Sequence, residues 1–94
     1  MSITRINHFE AKAGSEADLF NFMLSIVETI REAEGCINCE LLRGAENTAQ
    51  LAVIEKWASI AHHQAAASII PKEQLQQAMA FFAKPPFGIY FQSP

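Results

Sequence analysis

Hydrophobic positions recur most tellingly across Leu51-Ala52-Val53-Ile54-Glu55-Lys56-Trp57. Successive strand side chains point to opposite faces, so Leu51, Val53, Glu55 and Trp57 share one face and Ala52, Ile54 and Lys56 the other. Both faces are largely apolar, which predicts cover on both sides. Ser59 follows as a helix N-cap. A glutamate in register with the only tryptophan, beside a following helix, admits two readings. It is one wall of a pocket, or Trp57 is a core anchor and Glu55 a hydrogen-bonded or solvated strand residue.

The rest of the chain falls into order around this stretch. Residues Ile3 to Ala11 read as a strand, with Ile3, Arg5, Asn7 and Phe9 on one face and Thr4, Ile6, His8 and Glu10 on the other. A turn at Lys12-Ala13-Gly14 leads to Ser15-Glu16-Ala17-Asp18, which has the spacing of a capping box. Leu19, Phe22, Met23, Ile26, Val27 and Ile30 then form one apolar helical stripe. Gly35 is expected as its C′ residue. Cys36 to Arg43 reads as a second strand, residues 44–48 as a hairpin loop and Gln50 to Trp57 as a third strand. An alanine-rich helical segment is expected from Ser59 to Ser68. Pro71 breaks it and starts another helix, whose Leu75, Ala78, Met79 and Phe82 predict a buried stripe. Phe87 to Gln92 reads as the last strand.

The order β-α-β-β-α-β, with the second helix split, predicts an α+β, ferredoxin-like antiparallel sheet with the helices on one face. The other face carries Ile6 or Phe9, Ile37 or Leu42, Ala52, Ile54 and aromatics of the last strand. That is too apolar for water, and a homodimer pairing two sheets face to face answers it.

Composition narrows the function. The 94 residues fit one domain, residues 1–94, and half are hydrophobic. Seven Lys plus Arg against ten Asp plus Glu, with no basic cluster, argue against a nucleic-acid partner. No apolar run approaches the ~20 residues of a membrane span, and the opening residues do not resemble a signal peptide, so a cytoplasmic protein without a membrane partner is expected. Cys36 and Cys39 form a C-x-x-C within a strand. There the two lie roughly 10 Å apart and on opposite faces, too far for the ~7 Å a disulfide allows, so they read as two small buried thiols. No second pair completes a zinc site.

Several short motifs carry a resemblance. Glu34-Gly35-Cys36-Ile37 with Cys39-Glu40-Leu41 resembles the start of strand two in the antibiotic biosynthesis monooxygenase family, and Glu55-Lys56-Trp57-Ala58-Ser59 resembles its E-x-W-x-S strand-to-helix junction. Ala13-Gly14 lies where that family has Pro-Gly. The resemblance spans about residues 3 to 92 and implies a dimeric α+β barrel. It also implies oxygenation of small electron-rich aromatics, such as phenols going to quinones, without metal, haem or flavin. Many members carry a histidine nine residues after the tryptophan, where this chain has Ala66. A haem-degrading branch has a strand-one asparagine, matched by Asn7, and a tryptophan and histidine on the helical segment. No tryptophan follows Trp57, which argues against haem.

On that reading Trp57, Phe22, Met23, Phe81 and Phe82 are candidate walls for a small aromatic substrate. Asn7 orients it by hydrogen bonding, and His63 or His62 is a general base. Adjacent helix residues point about 100° apart, so the two histidines do not face a pocket equally. His8 lies opposite Asn7, where it is structural or near the dimer contact. Three function classes stay open: a cofactor-independent monooxygenase, a non-catalytic small-molecule-binding or stress-response protein on the same fold, and isomerisation or decarboxylation of a ring substrate.

Overall fold

A computed structural model describes residues 2–94. The elements run β1 (Ile3–Glu10), α1 (Glu16–Arg31), β2 (Cys36–Arg43), β3 (Gln50–Trp57), α2 (Ile60–Ala67), α3 (Lys72–Met79) and β4 (Phe87–Phe91). The strands pair antiparallel in the order β2-β3-β1-β4. This is the α+β, ferredoxin-like architecture that the alternation of elements predicts.

Sheet register decides what each face holds. Arg5 pairs with Glu55 and Tyr90, and Asn7 with Val53 and Gly88. All of these lie on the face shared with Trp57, because side chains two apart on a strand project the same way. Helix α1 lays its apolar stripe on that face, with Leu19, Met23, Ile26 and Val27 buried beside Leu51, Val53 and Cys39. Each such side chain contributes about 1.5–3 kcal/mol relative to exposure. A second cluster gathers Ile3, Trp57 and Ala66, with Tyr90 and Cys36 packed against it. The opposite face of the sheet has no helix. It displays Ile6, Ile54, Leu42, Phe87, Ile89 and Phe91, of which the last four are exposed. Phe9 turns inward, and His8 stacks on Phe87 at 5.0 Å on the open side.

Several local expectations fail for identifiable reasons. Ser15 occupies the N-cap of α1 but its side chain does not cap; Glu16 Oε1 instead accepts the Gly14 N–H at 2.7 Å. Helix α1 ends at Arg31, and Gly35 serves the turn into β2 rather than the helix terminus. Its φ of +83° suits glycine, and the His62 ring fills the space a Cβ would need. The register shifts between Cys36 and Asn38, so Ile37 is an extra residue on β2. That β-bulge puts Cys36, opposite Trp57, on the same face as Cys39, opposite Glu55, and overturns the opposite-face expectation. Both thiols are free, Cys39 buried and Cys36 half-buried. The stripe expected on α3 buries only Ala78, while Leu75 and Met79 stay exposed above a cavity. Ser59, by contrast, caps α2 as expected, accepting the His62 N–H. Among the described residues no helix is long and apolar enough to cross a membrane.

Candidate active site

Four elements converge on the inner face of the sheet. Strand β1 supplies Arg5 and Asn7, β3 supplies Glu55 and Trp57, β4 supplies Tyr90 and α2 supplies His63. The Arg5 Nε–H donates to Asn7 Oδ1 at 2.9 Å. That bond fixes the Asn7 amide, leaving Nδ2 to donate to Glu55 Oε2. Trp57 Nε1–H donates to the other carboxylate oxygen, Oε1, at 3.1 Å. Glu55 is 3 % exposed, so both donors offset the loss of water around a buried carboxylate. Burial raises its pKa, while the bonds from Trp57 and Asn7 and the charge of Arg5 pull the other way.

His63 stands edge-on to the Trp57 indole, with ring centroids 5.6 Å apart, and its Nδ1 lies 2.6 Å from the Tyr90 hydroxyl. Burial, with a smaller contribution from the Arg5 charge, lowers its pKa, which favours the neutral imidazole. The Arg5 guanidinium lies 4.6 Å over the Tyr90 ring, a cation–π contact that completes a loop of side chains. Gly88 makes room for it: a Cβ there would run into Asn7 Oδ1 and stand 2.7 Å from an Arg5 terminal nitrogen.

Asn7, Glu55, Trp57 and His63 of this loop line a cavity of about 870 Å³ between the sheet and the helices, with Arg5 and Tyr90 behind them. Of the eight residues given substrate or catalytic roles from sequence, the structure brings six to its lining: Asn7, Phe22, Met23, Trp57, His63 and Phe82. Two are elsewhere. His62 turns to Ser59, its Nδ1 2.7 Å from the hydroxyl, and packs over Gly35. Phe81 packs against the main core. Ala66, where many family members have histidine, is buried and lines the cavity. Sequence reasoning did not single out Tyr90 or Arg5. The signal was the two-residue period, which put Arg5 beside Asn7; for Tyr90 it required the β4 register. Burial and the Glu55 charge raise the Cys36 pKa, and burial pushes Cys39 up to about 12, so neither thiol is poised to react. Among the described residues no group of three His, Cys, Asp or Glu is placed to hold a metal ion.

An apolar cavity with a small polar cluster, set between the sheet and the helices of a ferredoxin-like unit, defines a small-molecule site on an α+β scaffold. The family model described as "Antibiotic biosynthesis monooxygenase" matches residues 2–68, and the chain belongs to that family. No curated protein matches. Among solved structures it is similar to Rv0793 from Mycobacterium tuberculosis, with a TM-score of 0.87, 14 % identity and coverage of 100 % of this chain and 96 % of that one. A conserved protein from Methanosarcina mazei Go1 gives a TM-score of 0.88 and 18 % identity, covering 100 % and 94 %. SnoaB from Streptomyces nogalater, a cofactor-independent oxygenase, gives 0.81 and 16 %, covering 98 % and 92 %. At these identities the likeness shows a shared fold.

Proposed function

We propose that this chain is a cofactor-independent monooxygenase that oxidises a small phenol- or quinol-type aromatic in the cavity, working as a homodimer in the cytoplasm. The observation that carries the reading is the placement of His63, held by Tyr90 beside Trp57 at the edge of an apolar cavity, where burial lowers its pKa. Family membership and the likeness to SnoaB support it. Phe22, Met23, Phe82 and Trp57 form walls, Asn7 offers its remaining N–H to a substrate oxygen, and His63 takes the phenolic proton. The phenolate gives one electron to O₂. The resulting radical pair joins as a C–O bond in a peroxide, which loses water to leave a quinone. One O₂ is consumed, and one atom goes to product and one to water. His62 and Phe81 have no part in this version, since neither lines the cavity. The exposed apolar face of the sheet supports the homodimer, and the two free thiols suit a reducing compartment.

An oxygen electrode with a panel of hydroquinones and anthrones tests the chemistry. Wild type is expected to consume oxygen, His63→Ala and Asn7→Ala to be slower, and His62→Ala to match wild type. Binding of these compounds without oxygen uptake would instead make the protein a non-catalytic small-molecule binder.

A further inference from the structure

The cavity is polar at two ends, and the ends differ in kind. At the buried end stand Asn7, Glu55, Trp57 and His63. Toward the other end of β1 the exposed Lys12 and Lys84 line it, brought together by backbone bonds from Lys12 N–H to Phe81 O and from Ala83 N–H to Glu10 O, while the exposed Lys72 lines it from the start of α3. The whole chain has four lysines and a net charge of −3, yet three of the four line this one cavity. Of its ten acidic residues only Glu55 lines the cavity, and that one is buried at the far end. Three of the four lysines of an acidic protein thus border one apolar cavity. The N-terminal amides of α3 add partial positive charge at Lys72.

Between the ends the walls are apolar, with Phe9, Ile26, Val53, Leu75 and Met79 among them. Five residues of nearly extended chain separate Asn7 from Lys12, roughly 16 Å at the rise of a strand. A cavity of about 870 Å³ lies near the upper end of the range for small-molecule sites. A single hydroxylated ring fills one end and leaves the rest empty.

We propose that the ligand is an elongated aromatic anion. Its hydroxylated ring lies at Asn7 and His63, its apolar body lies along the walls, and an anionic oxygen group at its far end meets Lys12 and Lys84, with Lys72 adding to the positive field of the cavity. This rests on the cavity being the ligand site proposed above, and it adds the charged end of the ligand. The lysines do not take part in chemistry at the ring; they select the substrate and draw it in.

Titration calorimetry on the full chain with three stable probes tests this: a naphthol bearing a butanoate tail, its methyl ester, and the corresponding butyl phosphate. At low salt the two anions are expected to bind about 10-fold more tightly than the ester, in keeping with about 2- to 3-fold per exposed lysine. The advantage should shrink as salt rises from about 20 to 500 mM, since exposed charges are screened. In a Lys12→Gln, Lys72→Gln, Lys84→Gln variant it should vanish, with ester binding unchanged. A larger effect for the phosphate than for the butanoate identifies a dianionic group as the preferred end. Equal binding of ester and anions, or an advantage that survives in the variant, overturns the proposal. Absence of binding by all three removes the cavity as a ligand site altogether. Oxygen uptake that fails while the anion preference holds counts against the monooxygenase reading alone.

Discussion

The two faces of the sheet are built by the same strands, residue by alternate residue, and each departs in part from the usual allocation of polarity. Facing the helices, Arg5, Asn7, Glu55 and Tyr90 form a connected polar chain within the protein. Facing away, Ile6, Ile54, Ile89 and Phe91 present apolar surface with no cover in the single chain. An antiparallel sheet with one solvated face ordinarily puts polar residues outward. Buried polarity costs stability unless it is fully bonded, and exposed apolar surface costs solubility unless it is covered. On the proposed reading each anomaly has a use: ligand chemistry inside, association outside.

The outer face offers the largest effect. Ile54→Asp puts a charge at the centre of the proposed dimer contact, where an unpaired buried charge costs about 3–5 kcal/mol. Sedimentation should show wild type at twice 10.4 kDa and the variant at 10.4 kDa. A wild-type monomer at micromolar concentration would sink the dimer.

Inside, Trp57→Ala comes next. The ring is fully buried, but part of it borders the cavity, so its loss should cost about 3 kcal/mol, the lower end of the range for large aromatics. Chemical denaturation reads this directly. Trp57→Phe should keep most of the stability while altering the binding of aromatic ligands, because Glu55 Oε1 loses its donor.

Gly88→Ala is smaller and more local. The added methyl meets Asn7 and Arg5, an overpacking expected to cost on the order of 1–3 kcal/mol. If Asn7 orients the ligand, affinity should fall even in variants whose melting temperature is restored by stabilising changes elsewhere.

The smallest effect is a matter of pH. Glu55 has a raised pKa in the fold, so its contribution is fully present below its ordinary value of 4.5 and is lost as pH rises through the raised one. His63 has a lowered pKa, so its contribution is fully present above 6.5 and is lost as pH falls through the lowered one. Melting temperatures from roughly pH 4 to 8 should show Glu55→Gln removing the first slope and leaving the second. An unchanged profile would show that Glu55 titrates as it does in the unfolded chain.

The period-two and helical patterns carried the fold, because they reflect which side of each element meets apolar partners. They placed Asn7 and Trp57 on one face and Leu19 through Ile30 on the facing stripe. What they did not carry was anything set by an irregularity or by pairing between distant strands. The bulge at Ile37 is one extra residue with no turn-forming composition, and it moved Cys36 to the face of Cys39. Tyr90 reached His63 only through the register of β4 on β1, a pairing of residues some eighty positions apart. Leu75 and Met79 had the spacing of core residues; a cavity wall and a core use the same side chains.

Strand β4 is five residues long, lies at the edge of the sheet and bonds to β1 alone. Edge strands open at lower free energy than central ones, so its amides should exchange with solvent before those of β3. Each such breathing event takes Tyr90 off His63 and lifts the guanidinium of Arg5 from its aromatic seat. A seal on the outer face, where Phe87, Ile89 and Phe91 lie, would slow that motion, so assembly would also set how long the imidazole keeps its partner.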